Sequence, residues 1–166
     1  MTSNEGSKRR CGECTACCDG WMKADVYGHK MGDGVACSYR KGSACSIYES
    51  RPQFCRSFMC GWLMPNSPFP EQWRPDKIGL IIVADTWEQK RCWVLLHAGK
   101  EPTEDVLAGM RRHTVSTGEP HIIEKKNSWL CFGKPEFQQA MLKRGQEAQR
   151  HLNGKSEDAP LSGSQG

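Results

Sequence analysis

Apolar positions are unevenly spread along this chain. Up to about residue 64 they stand isolated among Gly, Ser, Asp and Lys, so this stretch cannot bury enough surface to offset its chain entropy without a staple. Pro65, Pro68, Pro70 and Pro75 then predict an extended connector, because each fixes its own φ and lacks a donor. From Lys77 the pattern tightens. Ile78–Ala84 and Cys92–His97 are near-continuous apolar runs that predict two strands, with Asp85–Lys90 as the turn between them. Thr103–His113 predicts a helix capped by Thr103, with Glu104 and Asp105 at its positive end and Arg111, Arg112 and His113 at its negative end. His121–Glu124 predicts a short strand, and Pro135 suits the first turn of a last helix reaching about Leu152. Trp62, Trp73, Trp87, Trp93 and Trp129 are expected to cover the small core.

The 166 residues are 37% hydrophobic and 25% charged, a globular rather than a disordered balance. The net charge of +4 comes without a basic run, so nucleic acid is not an expected partner. No stretch has the apolar length that a membrane span needs, so no membrane partner is expected. Met1–Arg10 reads as a loose tail, and Arg9–Arg10 has no apolar segment behind it to make an export signal. A cytoplasmic location is the expectation.

Ten cysteines change the picture. In a reducing compartment metal thiolates account for them better than disulfides do. Eight of them, Cys11, Cys14, Cys17, Cys18, Cys37, Cys45, Cys55 and Cys60, fall in the first sixty residues. Cys92 and Cys131 lie beyond and read as small buried hydrophobes. Cys11-x-x-Cys14-x-x-Cys17-Cys18 is the strongest signal, since a two-residue spacer lets one tight turn aim two sulfurs at one ion. Adjacent Cys17 and Cys18 point apart and are expected to serve different sites or to bridge two ions. Pro52 predicts a helix over Pro52–Met59 with Gly61 ending it, which sets Cys55 and Cys60 about 140° apart unless the helix frays. The expected cofactor is zinc or iron, the iron as a mononuclear ion or a 4Fe–4S cluster. Arg51 and Arg56 flank this block as expected second-shell groups that offset thiolate charge. Tyr48 and Phe58 are expected to pack around the metal, and His29 is a substitute ligand of lower rank. His97, His113, His121 and His151 show no partner spacing.

The run from Cys11 to Cys18, followed by Cys45-Ser-Ile-Tyr48-x-x-Arg51-Pro52-x-x-Cys55-Arg56-x-Phe58-x-Cys60, resembles the zinc- or iron-chelating cysteine-cluster family often called the YkgJ family. The resemblance covers about a third of the chain. It implies a metal-chelating domain, related in some members to flagellin lysine methylases, although no motif for that activity stands here.

The fold class expected is therefore α+β: a metal-organised, loop-rich cysteine module followed by a small antiparallel sheet with helices. The expected divisions are a flexible tail over 1–10, the cysteine module over 11–64, the connector over 65–76, the α+β unit over 77–153 and a disordered tail over 154–166. No phosphate-binding loop, His-Glu-x-x-His helix or zinc-deaminase motif is present, so no catalytic residue is assigned. The expected function is a metal-binding protein whose partner is the metal ion, with a protein partner left open. Two alternatives stand beside it: an iron–sulfur protein acting in redox or as accessory to a modifying enzyme, and a zinc-dependent adaptor for protein or nucleic acid.

Overall fold

The computed structural model describes residues 9–154, and the side chains of 151–154 are not part of that description. Residues 1–8 of the expected tail over 1–10, residues 155–166 of the expected tail over 154–166, and the side chain of His151 lie outside it.

The core is a four-stranded sheet in the order β5-β6-β7-β8. Strands β5 (Leu80–Trp87) and β6 (Lys90–His97) form a hairpin, with Leu80 opposite His97 and Trp87 opposite Lys90. Its turn is only Glu88–Gln89, both at positive φ (47° and 62°), the mirror-image turn that matches strand twist. Helix α3 (Glu104–Thr117) then carries the chain across the sheet to β7 (His121–Lys125), which runs parallel to β6. Strand β8 (Ser128–Phe132) closes the far edge antiparallel to β7. The expected antiparallel sheet is thus a mixed one. The physical reason is the crossover: a helix between two neighbouring strands returns the chain to the same end, so the second strand repeats the first one's direction.

Alternation sorts the sheet's residues onto two faces. Leu80 and Ile82 of β5, Trp93 and Leu95 of β6, and Ile123 of β7 pack under Val106 and Met110 of α3. Ile81, Val83 and Leu96 point to the other face, against Ala16, Met22, Val26 and Met31 of the N-terminal segment. Farther along that second face, Cys92 and Ile122 meet Phe137 and Met141 of α4 (Pro135–Gly154). A sheet covered on both sides needs apolar residues at consecutive positions, which explains the continuous run in β5.

Several sequence expectations shift. Thr103 sits at the start of α3 but makes no side-chain cap bond. The helix runs on past His113 to Thr117, where Gly118 stops it in the left-handed conformation (φ 76°), so the basic residues do not form its last turn. Helix α1 spans only Gln53–Ser57, with Pro52 as its cap, and Phe58 leaves it in extended conformation. Cys60 therefore lies outside the helix. The connector is not merely extended: it makes a turn at Glu71–Trp73 and helix α2 (Pro75–Ile78), and Phe69 and Trp73 enter the core. Trp129 is left 38% exposed, whereas Trp62, Trp73 and Trp93 are buried. Arg9, read as tail, is held. Its guanidinium donates to the carbonyls of Trp62 (2.9 Å) and Phe69 (2.7 Å), pairs with Glu71 at 2.8 Å and lies over the Trp62 ring.

Candidate functional site

The N-terminal segment is built from short pieces. The Cys14 amide donates to the Cys11 carbonyl at 2.8 Å, which makes the x-x spacer a tight turn. A 3-10 turn over Ala16–Cys18 buries Ala16 and carries both Cys17 and Cys18 on to the cavity wall. Hairpin β1–β2 (Ala24–Val26, His29–Met31) turns through Tyr27 and Gly28, both at positive φ, and sends Val26 and Met31 inward. The Cys37 amide donates to the Cys18 carbonyl at 2.8 Å, and Arg40 pairs with Asp19 at 2.5 Å. Those two links bring Cys37 beside Cys18. Cys45 follows on hairpin β3–β4 (Arg40–Lys41, Ala44–Cys45), Cys55 on α1, and Cys60 beside the edge of β5.

All eight cysteines line one cavity of about 320 Å³, whose remaining wall is largely apolar and includes Met22, Val26, Met31, Ile47 and Phe58. None of them is in a disulfide. Two facing sets can be distinguished by the charges each thiol would feel. Cys17 feels Cys60, Cys18, Cys14 and Cys11, whereas Cys18 feels Cys37, Cys45 and Cys55, so the two sets meet at the adjacent Cys17 and Cys18. Burial comes first in holding the Cys17 thiol well above its ordinary range, with the neighbouring thiols adding to it. Burial, then the facing thiols, pushes Cys18 up to about 11. Cys60 is also raised by burial, although backbone groups of Trp62, Ile82 and Leu63 bond its sulfur and oppose the rise. Burial thus favours the protonated form at Cys17, Cys18 and Cys60. Cys11 is the exposed member of the eight, and Cys60 the buried one.

Arg51 reaches the cavity wall. Its Nε donates to the Tyr48 carbonyl at 2.7 Å and its guanidinium stacks 3.6 Å above the Tyr48 ring. Arg56 instead points outward and bonds Gln53 at 3.3 Å. His29 is exposed and edges onto Tyr39, away from the cavity.

The expected zinc or iron centre is not what these side chains form. Among the described residues, no group of three or more His, Cys, Asp or Glu is set to hold a metal ion. The thiols are dispersed around a cavity wall and do not converge at the radius of about 2.3 Å that thiolate ligation of zinc demands. This overturns the metal-organised fold class and the metal-binding function. It also overturns the zinc, mononuclear-iron and 4Fe–4S cofactors, and the metal ion as partner. The iron–sulfur and zinc-adaptor alternatives fall with them, as does the resemblance to the cysteine-cluster family. Comparisons of the chain with family models, with curated proteins and with solved structures found no match. Among the described residues no helix is long and apolar enough to cross a membrane.

A second polar group escaped the sequence reading. Trp93 Nε1 donates to Glu119 Oε2 at 2.7 Å, and His113 Nε2 lies 2.8 Å from the same oxygen. Next to it, His121 Nδ1 lies 2.7 Å from Thr114 Oγ1 in the interior. The Thr114 hydroxyl donates its one proton to the Glu119 carbonyl at 2.6 Å, so His121 must hold its proton on Nδ1 and donate to Thr114. Burial drops the His121 pKa to about 4, with His113 and Arg111 adding to the fall. The spacing of residues 113, 114, 119 and 121 carries no helical or strand period, so only the crossover that joins α3 to β7 reveals the group.

Proposed function

We propose that residues 11–60 form a thiol redox centre that takes up disulfide equivalents within its two sets of four cysteines. The observation that carries this is the cavity itself: eight reduced thiols share one wall, in two sets whose members face each other. The reaction is thiol–disulfide exchange with a disulfide co-reactant. One cysteine, as thiolate, attacks a sulfur of the incoming disulfide, forms a mixed disulfide and releases one thiol after that thiolate takes up a proton. A second cysteine of the same set then attacks the protein sulfur of the mixed disulfide. The second thiol departs, and an intrachain disulfide closes. Two protein thiols are oxidised by two electrons, and the co-reactant disulfide is reduced to two thiols. The protein acts stoichiometrically in this scheme, as a store and sensor of oxidation, with no turnover required. A cytoplasmic setting suits it, because the resting state keeps every thiol reduced.

Equilibration of the protein in mixtures of reduced and oxidised glutathione tests the reading. Intact-mass measurement after acid quench should show the chain losing two hydrogens per disulfide, reversibly, up to four times. A chain that keeps all its thiols across the whole range of mixtures would sink it.

A further inference from the structure

The interior His121–Thr114 pair is sealed from solvent, and the Trp129–Leu130 edge of β8 is exposed with nothing among the described residues to say what covers it. The mouth of the cavity carries more. Cys11 is its exposed thiol, and Gly12 beside it leaves the backbone bare. Arg51 lines the same cavity and is fixed there by its bond to the Tyr48 carbonyl and its stack on the ring. Among the described residues no carboxylate lies in ion-pair contact with Arg51. Arg74 also reaches this mouth, with a guanidinium nitrogen 3.7 Å from where a Cβ on Gly12 would stand. Its charge is already matched, since Asp76 takes it in two bonds of 2.6 and 2.8 Å. Of the two arginines whose charge acts on the Cys11 thiol, Arg51 is thus the one without a carboxylate partner.

We infer that Cys11 and Arg51 form the entrance of the redox centre, and that Arg51 selects anionic disulfides, those carrying a carboxylate near the sulfur pair. The inference rests on the redox reading for its biological meaning, but not for its chemistry. A disulfide presenting a carboxylate to Arg51 brings its sulfur to Cys11, the thiol that solvent reaches. The fixed guanidinium loses little freedom in binding it. A neutral or cationic disulfide gains nothing from the same approach.

The test compares two disulfide probes on the native full-length protein by stopped flow: the dianionic 5,5′-dithiobis(2-nitrobenzoate) and the neutral 4,4′-dithiodipyridine. A fast phase of one thiol is expected, lost in Cys11→Ser. Arg51→Met should lower the anionic-to-neutral rate ratio roughly 3- to 10-fold, a magnitude fitting one partly exposed charge. Arg51→Lys should restore most of the ratio, which separates charge from packing, and added salt should lower it in the wild type and in Arg51→Lys but little in Arg51→Met. An unchanged ratio in Arg51→Met, or a fast phase that survives Cys11→Ser, overturns the inference. If Cys11 shows the charge-selective phase but no intrachain disulfide ever closes, the redox reading fails and the entrance stands. If disulfides close with no charge preference, only the entrance falls.

Discussion

The amide of Gly61 donates to the carbonyl of Ile82 at 2.7 Å, and this bond ties the thiol-bearing segment to the edge of the central sheet. Close approach is what the glycine permits. A Cβ at position 61 would lie 2.8 Å from Ile82 Cγ2 and 2.9 Å from Trp93 Cζ3. Cys60, its neighbour, is anchored in the same place by backbone bonds to its sulfur.

Gly61→Ala should therefore destabilise the protein by about 1–3 kcal/mol, the usual cost of overfilling a packed interior. Urea unfolding followed by tryptophan fluorescence measures it, since Trp62 and Trp93 flank the contact. A midpoint equal to wild type would mean that this edge can shift without cost.

Acid stability should follow His121. Its folded pKa, about 4, lies below the ordinary histidine value of 6.5, so between those limits the unfolded chain binds a proton that the fold excludes. The contribution is complete above about pH 6.5, falls as pH drops through the window and is gone below about pH 4. It amounts to on the order of 3 kcal/mol. Phe132 lies tilted against the ring with centroids 5.5 Å apart, and His113 and Arg111 are the neighbouring groups that oppose its protonation. His121→Gln should flatten this limb while still donating to Thr114. Unfolding free energies at pH 7 and pH 4.5 give the comparison, and an equally steep fall in the variant would place the acid sensitivity elsewhere.

The hairpin turn carries removable strain. Glu88 and Gln89 both adopt left-handed backbone, which Asn and Gly tolerate better. Glu88→Asn with Gln89→Gly should raise stability by about 0.5–1 kcal/mol. Thermal melts would show a higher midpoint; a lower one would mean that the two side chains contribute contacts outweighing the strain.

What the sequence revealed followed local chemistry. The runs at Ile78–Ala84 and Cys92–His97 lead to β5 and β6, and Pro135 opens α4, because burial and proline geometry act within a few residues. The direction of β7 was hidden, since parallel pairing depends on what α3 does between the strands. Strand β8 was missed as well: Ser128–Phe132 is half exposed and shows no alternation. Cysteine spacing led to the expectation that Cys17 and Cys18 point apart, yet Cys18 stands among the charges that Cys17 feels. It could not tell whether eight sulfurs converge on a point or spread around a wall. That depends on how Met22, Val26, Met31 and Phe58 share the cavity wall with them, and no spacing rule contains it.

Reactivity toward a small alkylating agent should be graded by exposure. Cys11 should be modified first and Cys60 and Cys92 last, because Cys11 is exposed and the other two are buried. Timed iodoacetamide labelling with peptide mass spectrometry gives the order. Cys92 labelled as early as Cys11 would contradict the placement of β6 under α4.

The two-set arrangement is tested most directly by mapping the disulfides of protein oxidised with glutathione disulfide, using non-reducing digestion and mass spectrometry. The bonds should join members of Cys11, Cys14, Cys17 and Cys60 with one another, and members of Cys18, Cys37, Cys45 and Cys55 with one another. Cys92 and Cys131 should remain free thiols. Bonds that cross freely between the sets or draw in Cys92 while the fold stays intact, or no bonds at all, would contradict the account.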